Sequence, residues 1–213
     1  YNPSENNDIA VMNGKRFSEY FKKKIGLEVK TFVATDYTSL VEAMRSGQID
    51  FAWMPPFSFV KAEVIADAEP LLKAVYLGRA VLYGGIIVRA DSKYFKIEDL
   101  KGKNIAWVDP SSSSGHIMPK ASLIRHKNID PDKFFARQIF AGGHDAVILA
   151  VLNGTVNAGA TYMATPEGVE GAWTHYLTKP EDMKKIRVIF SSDPITSDLV
   201  TTTKKMIREN KDI

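Results

Sequence analysis

Apolar and polar positions along the chain switch repeatedly between the spacing of a helix and the spacing of a strand. Apolar residues recur every three or four positions over residues 17–25, and Gly26 is placed to end this helix. Residues 27–34 alternate in the manner of a strand. A second helix is predicted to begin near Ser39, which has the spacing of a capping box with Glu42.

The same alternation continues to the end of the chain and predicts an α/β fold. Strands are predicted at residues 49–54, 71–76, 81–89, 104–108, 138–140, 156–161 and 186–190, and helices at 57–66, 115–127, 146–152 and 203–210, with a short helical turn at 98–102. Strands that alternate with helices favour a parallel or mixed sheet covered on both faces. Two lobes fit this order better than one sheet.

The predicted lobes are bounded by two crossings of the chain. The first lobe takes residues 1–86, the second takes 87–186, and residues 187–213 return to the first. The crossings lie near Gly84-Gly85 and near residues 189–192, and together they would form a two-strand hinge with a ligand cleft between the lobes.

Composition and charge exclude several functional classes. The net charge is +3, from 28 Lys and Arg against 25 Asp and Glu, which is too balanced for a nucleic-acid-binding protein. There is no cysteine, and no set of His, Asp and Glu has the spacing of metal ligands, so we predict neither a metal site nor a cofactor. The apolar stretches at 71–77 and 80–88 are too short to span a membrane. The chain starts at Tyr1 without an initiating Met, which we interpret as a mature or trimmed chain.

The densest polar signal is a serine-rich loop at residues 109–115, between a predicted strand and a predicted helix. Ser112, Ser113 and Ser114 offer hydroxyl donors beside the free amides and positive dipole end of a helix. Such a loop can surround a tetrahedral oxyanion without Lys or Arg. The alternative is a serine-rich capping loop with no ligand.

Three further side chains have an anion-binding interpretation and a plain structural one. His144, in the glycine-rich loop 141–145, could donate to an anionic oxygen or could be an ordinary histidine at a helix start. Tyr37 and Tyr83 could donate their hydroxyls or could simply pack. Because ligands of open α/β sheets bind at the carboxyl ends of strands, we expect these loops to converge on one cleft.

An enzymatic function is the weaker alternative. Ser113, His144 and Asp145 could be imagined as a hydrolytic triad. However, the acid adjoins the histidine in sequence and no Gly-x-Ser-x-Gly nucleophile motif is present. We therefore predict no catalytic residues. A third hypothesis is the extracytoplasmic ligand-sensing domain of a receptor, in which the same lobe closure would drive signalling.

Several segments in order resemble the periplasmic phosphonate-, phosphite- and phosphate-binding proteins of ABC importers. The matching segments are Pro3-Ser4-Glu5-Asn6, residues 35–44, residues 47–57, residues 98–103, the serine-rich loop and residues 141–145. The resemblance covers nearly the whole chain, and its ordered combination is specific. It implies a two-lobed fold like the type II periplasmic binding proteins, with a hinge and a ligand cleft between the lobes.

The resemblance also implies site residues and partners. The oxyanion contacts are expected to be Tyr37, Tyr83, Ser112, Ser113, Ser114 and His144, with Asp198 as an acidic ligand residue. The implied partners are the small phosphorus oxyanion and the membrane permease of an ABC transporter. The implied protein is a monomer that lies in the periplasm or elsewhere outside the cytoplasm, with a lipid anchor as one mode of retention.

The chain departs from the family in two ways. The family's first strand should precede Pro3, and the family continues with more helix beyond residue 213, which is consistent with an incomplete chain. Residues 162–165 read Tyr-Met-Ala-Thr, where some members place the Asn and Glu that meet a ligand amine. This difference favours a smaller or less polar ligand than an aminoalkyl phosphonate.

Overall fold

A computed structural model describes residue 3, residues 7–76 and residues 78–210. The helices are α1 (Asn7–Ile25), α2 (Tyr37–Arg45), α3 (Pro56–Ala66), α4 (Met118–Lys127), α5 (Pro131–Phe134), α6 (His144–Leu152), α7 (Ala172–Tyr176), α8 (Pro180–Met183) and α9 (Lys204–Glu209). The strands are β1 (Phe51–Met54), β2 (Ala68–Lys73), β3 (Val81–Arg89), β4 (Asn104–Trp107), β5 (Arg137–Phe140), β6 (Ala158–Met163), β7 (Ile186–Thr196) and β8 (Leu199–Thr203). A 3-10 turn covers Ile97–Leu100, and a π-helical turn covers Ser113–Ile117.

The chain folds as two compact units, which share the α/β class expected from the sequence. Unit 1 comprises Tyr1–Lys73 and Asp198–Ile213, and unit 2 comprises Ala74–Ser197. The lobe boundaries predicted from the sequence lie at 86/87 and 186/187, whereas the two units meet at 73/74 and 197/198. The lobe boundaries therefore stay a prediction. None of the helices in the described part of the chain has the length and apolar character that a bilayer crossing needs.

Unit 1 contains a three-stranded antiparallel sheet in the order β1-β8-β2. Strand β1 alternates exposed and buried residues, so one face of the sheet carries Ala52 and Met54 into a core. That core is formed by Ala34, Leu40, Val41, Met44, Ala52, Met54, Ala62 and Ala68. Burial of these apolar side chains holds α2 and α3 against the strands.

Helix α2 begins one turn earlier than the sequence pattern predicted. Asp36 is its cap: the Ser39 amide donates to Asp36 Oδ1 at 2.6 Å, and the Asp36 amide donates to Ser39 Oγ at 3.1 Å. The predicted capping box between Ser39 and Glu42 was therefore wrong. Glu42 instead forms an ion pair with Arg45 at 2.7 Å.

The predicted strand at residues 27–34 was also wrong, because this stretch lies outside both sheets. Alternation makes one face apolar, but a strand also needs a neighbouring strand to bond its backbone. The predicted helix end is confirmed: Gly26 has a φ of 73°, and its amide donates to the Lys22 carbonyl at 3.1 Å. Residues 4–6, which carry the first part of the family resemblance, lie outside the described residues.

Unit 2 contains a five-stranded mixed sheet in the order β5-β4-β6-β3-β7. Strands β5, β4 and β6 are parallel, whereas β3 runs antiparallel to both β6 and β7. Buried apolar residues from the strands and flanking helices fill its core, namely Ile86, Val88, Ile97, Leu100, Ile105, Trp107, Leu123, Phe135, Ala158 and Ala160. The carboxyl ends of the three parallel strands therefore lie at one end of the sheet, beside the beginning of β3.

The last strands differ most from the sequence prediction. Strand β7 runs to Thr196, six residues past the predicted end at Phe190, and β8 was not predicted. The segments proposed for the hinge pair within the sheet of unit 2, where Gly85 lies opposite Ser191. The chain passes between the units at 73/74 and 197/198, and the position of a hinge stays a prediction.

Candidate functional site

Two polar loops leave the sheet of unit 2 side by side. The serine-rich loop follows β4, and the glycine-rich loop at 141–143 follows β5, its parallel neighbour. The Ala141 amide donates to the Trp107 carbonyl at 2.8 Å, and the Gly142 amide donates to the Val108 carbonyl at 2.8 Å. These bonds continue the strand pairing past the sheet and fix the two loops next to each other.

The serine-rich loop is folded by its own polar groups. Asp109 accepts from two amides of the loop, from Ser111 at its carboxylate (2.7 Å) and from Ser112 at its carbonyl (3.0 Å). Ser112 caps the π-helical turn by accepting from the Gly115 amide at 3.1 Å. A β-carbon at Gly115 would overlap the Val108 side chain, so only glycine lets the turn pack this closely on the strand end.

Ser114 provides the uncommitted donor of this loop. The residue is 7% exposed, and its hydroxyl has no hydrogen-bond partner within the part of the chain that the structure describes. The hydroxyl lies in the first turn of the helical segment that continues into α4, where several amides lack an intrahelical acceptor. A hydroxyl beside such amides can donate a hydrogen bond to an anionic oxygen.

His144 is the first residue of α6 and is almost completely buried at 5% exposure. Its Nδ1 atom lies 2.8 Å from the hydroxyl oxygen of Thr161 on β6. Its ring packs edge-on against Tyr162, with centroids 5.0 Å apart. Burial lowers the pKa of His144 to about 3, so the imidazole is neutral at neutral pH.

Tyr83 lies at the beginning of β3, opposite Met163 at the end of β6, and is half-buried. Its hydroxyl has no hydrogen-bond partner among the described residues. The next residue, Gly84, packs so closely on the serine-rich loop that a β-carbon would lie 2.6 Å from the Ser114 carbonyl oxygen. This contact positions β3 against the loop and brings Tyr83 to the same end of the sheet.

The remaining predicted residues belong to unit 1. Tyr37 is the first residue of α2 and is 1% exposed. Asp198 precedes β8, and its Oδ2 atom accepts from the Trp53 indole nitrogen at 3.1 Å. Desolvation raises the pKa of Asp198, and the bond from Trp53 opposes that shift.

A family model that matches almost the entire chain identifies the family of this protein. Residues 1–212 match the model of the family described as the periplasmic substrate-binding protein of phosphonate ABC transporters. The chain belongs to this family. The family consists of binding proteins of ABC importers rather than enzymes.

Individual relatives agree with this membership. The phosphate-import protein PhnD of Mycolicibacterium smegmatis is 34% identical over 169 residues, which are 75% of this chain and 53% of that protein. A binding protein component of an ABC phosphonate transporter from Pseudomonas aeruginosa has a TM-score of 0.83 at 26% identity, covering 97% of this chain and 70% of that one. PhnD1 of Prochlorococcus marinus, solved with methylphosphonate, has a TM-score of 0.82 at 19% identity, covering 99% and 77%.

These solved relatives have the two-lobed type II fold, which confirms the predicted fold class for this member of the phosphonate-binding family. The chain spans just over half the length of the curated relatives it matches, between 53% and 57%.

Five of the seven predicted site residues lie at one end of the sheet in unit 2. They are Tyr83, Ser112, Ser113, Ser114 and His144, and their roles toward a ligand stay predictions. Tyr37 and Asp198 lie in unit 1.

The sequence pattern did not predict that Thr161 contacts His144 or that Gly84 packs on the serine-rich loop. The glycine pair within a strand pattern was a usable signal, because such a glycine often marks close approach of another backbone. Thr161 gave no signal, since nothing in the sequence pairs it with a histidine 17 positions earlier.

The hydrolase alternative does not fit the histidine's surroundings. In a catalytic triad the imidazole is oriented by a carboxylate at Nδ1. Here Nδ1 contacts the hydroxyl of Thr161 instead of the carboxylate of Asp145. This arrangement agrees with a family of binding proteins.

Proposed function

We propose that this protein is a solute-binding protein that captures a small phosphorus oxyanion, a phosphonate, phosphite or phosphate, for an ABC importer. The observation that carries the proposal is the buried serine-rich loop, in which the Ser114 hydroxyl has no partner among the described residues and lies at a helix start. Family membership and the names of the relatives support the same ligand class.

The donors proposed for the site are all neutral. Ser112, Ser113, Ser114 and Tyr83 carry hydroxyls, and burial keeps His144 uncharged. Neutral donors in a desolvated site bind an anion through several directed hydrogen bonds rather than through a counter-charge. Selectivity then depends on the number and direction of the oxygens, which favours a tetrahedral oxyanion over a carboxylate.

Replacing Ser114 by alanine is the direct test of this site. We expect Ser114→Ala to weaken anion binding about 10- to 100-fold, because a hydrogen bond to a charged group contributes about 1.5–3 kcal/mol. Titration calorimetry at neutral pH, after removal of co-purified ligand, would compare phosphite, methylphosphonate, 2-aminoethylphosphonate, phosphate and sulfate.

The matched control is Ser92→Ala in the same unit. Ser92 follows the far end of β3, and its hydroxyl donates to the Arg89 carbonyl at 2.6 Å. This variant should bind as the unmodified chain does. If the unmodified chain, Ser114→Ala and Ser92→Ala bind the anion with equal affinity, Ser114 is not part of the site. If the folded unmodified chain binds none of the anions, the proposed function is rejected.

Asp198 is proposed to select for an anion that still carries a proton. A carboxylate can accept the O–H of hydrogen phosphate or of a monoprotonated phosphonate, whereas it repels fully deprotonated sulfate. We expect Asp198→Asn to narrow the preference for phosphate over sulfate by about tenfold. Competition calorimetry with the two anions measures this ratio.

An exposed carboxylate in the same unit serves as the comparison for Asp198. Glu63 on α3 is exposed, and Glu63→Gln changes the net charge by the same amount. An identical change in the anion preference of both variants would mean that Asp198 acts only through overall charge.

The partner proposed for the loaded protein is the permease of an ABC transporter, with the protein itself a monomer in the periplasm. Uptake of a labelled oxyanion by cells that carry the cognate permease distinguishes transport from ligand sensing. Fractionation of the same cells separates a soluble periplasmic protein from one held by a lipid anchor.

A further inference from the structure

The contact between His144 and Thr161 determines where the imidazole proton lies. Thr161 is fully buried and His144 is 5% exposed, and Nδ1 lies 2.8 Å from the threonine hydroxyl oxygen. Within the described residues, the Thr161 hydroxyl has no other hydrogen-bond partner, and neither does the imidazole.

The hydroxyl hydrogen of Thr161 needs an acceptor, because a buried polar hydrogen without one is costly. The lone pair of His144 Nδ1 is the acceptor within reach. If Nδ1 carried a hydrogen instead, it would donate to the hydroxyl oxygen and leave the hydroxyl hydrogen buried without a partner. The same objection holds for the doubly protonated ring.

We propose that Thr161 is a positioning residue that holds His144 in the tautomer with its hydrogen on Nε2. The Nε2–H group is then a neutral donor, and it points away from the threonine because the two ring nitrogens lie on opposite sides of the imidazole. Its action on an oxyanion oxygen rests on the proposed function. The preference for the tautomer does not, since it follows from the buried pair alone.

Thr161 lies on an inner strand of the sheet, which holds its backbone rigidly. Strand β6 lies between β4 and β3 in the sheet, and Thr161 is opposite Gly85 on β3. A β-branched side chain on a strand has few rotamers, so the hydroxyl is held toward the ring. His144 is fixed independently by its place at the start of α6.

Nitrogen-15 NMR of the ligand-free full chain, with labelled histidine, tests the tautomer directly. The His144 signals are assigned by their loss in His144→Gln. We expect Nδ1 to show the shift of an unprotonated acceptor and Nε2 that of a protonated nitrogen. Thr161→Ser should keep this pattern, and Thr161→Val should move the population toward the Nδ1–H form. A protonated Nδ1 in the unmodified chain, or an unchanged pattern in Thr161→Val, would overturn the assignment.

Thr202→Val controls for the loss of a buried strand hydroxyl. Thr202 lies on β8 at 1% exposure and donates to the Asp50 carbonyl at 2.7 Å. This variant should leave the His144 signals unchanged, although it loses a comparable hydrogen bond. If Thr161→Val does not fold, the unmodified chain and Thr161→Ser still decide the tautomer.

Calorimetry with phosphite and methylphosphonate separates positioning from binding. We expect Thr161→Val to lower the affinity for the anion about tenfold. The affinity of Thr161→Ser should stay within about twofold of that of the unmodified chain. A changed tautomer with unchanged affinity would remove Thr161 from ligand binding. If the unmodified chain binds neither anion, the proposed function and the role of Nε2–H in binding both fail, while the NMR result still decides the tautomer.

Discussion

Acid should destabilise this protein through His144, by about 1.4 kcal/mol in the free energy of unfolding for each pH unit below about 6.5. The unfolded chain takes up a proton on this histidine near its ordinary pKa of 6.5, whereas burial lowers the pKa in the folded protein to about 3. Between these values the unfolded state binds more protons. The stability contribution is therefore complete above pH 6.5 and is lost progressively as the pH falls toward 3.

The expected loss over the whole window from pH 6.5 to 3 is roughly 5 kcal/mol, which is a large part of the 5–15 kcal/mol that stabilises a typical domain. Urea unfolding at several pH values between 7 and 4 would measure it in the unmodified chain and in His144→Gln. The two pH profiles share the contributions of every other titrating group. Their difference therefore isolates His144.

His175→Gln is the control, since His175 is exposed on α7. Its pH profile should follow that of the unmodified chain. Parallel profiles for the unmodified chain and His144→Gln would contradict the prediction and would mean that folding does not lower the pKa of His144.

Adding one methyl group at Gly84 should displace the serine-rich loop. A β-carbon there would lie 2.6 Å from the Ser114 carbonyl oxygen and 2.6 Å from Cγ of Pro119. Neither neighbour can move cheaply, because one is a backbone atom and the other a proline ring within a helix. Strand β3 is also held, since the Gly84 amide donates to the Ser192 hydroxyl at 2.8 Å.

We expect Gly84→Ala to lower the free energy of unfolding by about 3 kcal/mol, at the upper end for overpacked sites. Anion affinity should fall at least about tenfold, because the shift displaces the Ser114 hydroxyl from its position. Urea unfolding measures the first effect and titration calorimetry measures the second.

Gly85→Ala is the comparison one position along the strand. The three atoms nearest to its added β-carbon all belong to the side chain of Met163, which is flexible and can change rotamer. We expect a loss of about 1 kcal/mol and an unchanged anion affinity. Equal effects of the two substitutions on binding would show that the contact with Ser114 does not position the loop.

The elements that the sequence predicted well are those with a strong local cause. Strand β3 has the predicted bounds, and the helix at Gly26 ends where a left-handed residue was expected. The predicted strand at residues 27–34 was wrong because alternation indicates one apolar face of a strand. It does not indicate whether a neighbouring strand is present to bond the backbone. Strand β8 was missed because its polar threonines are stabilised by pairing with both β1 and β2 rather than by local preference.

The sequence by itself determined the α/β class, the serine-rich loop before a helix and the resemblance to the phosphonate-binding family. These features depend on neighbouring residues and on local backbone chemistry. Only the tertiary structure decided that Thr161 faces His144, that Gly84 touches the loop of Ser114 and that Trp53 donates to Asp198. The physical reason is that hydrogen-bond partners and desolvation are set by groups far apart in the chain, as the 145 positions between Trp53 and Asp198 illustrate.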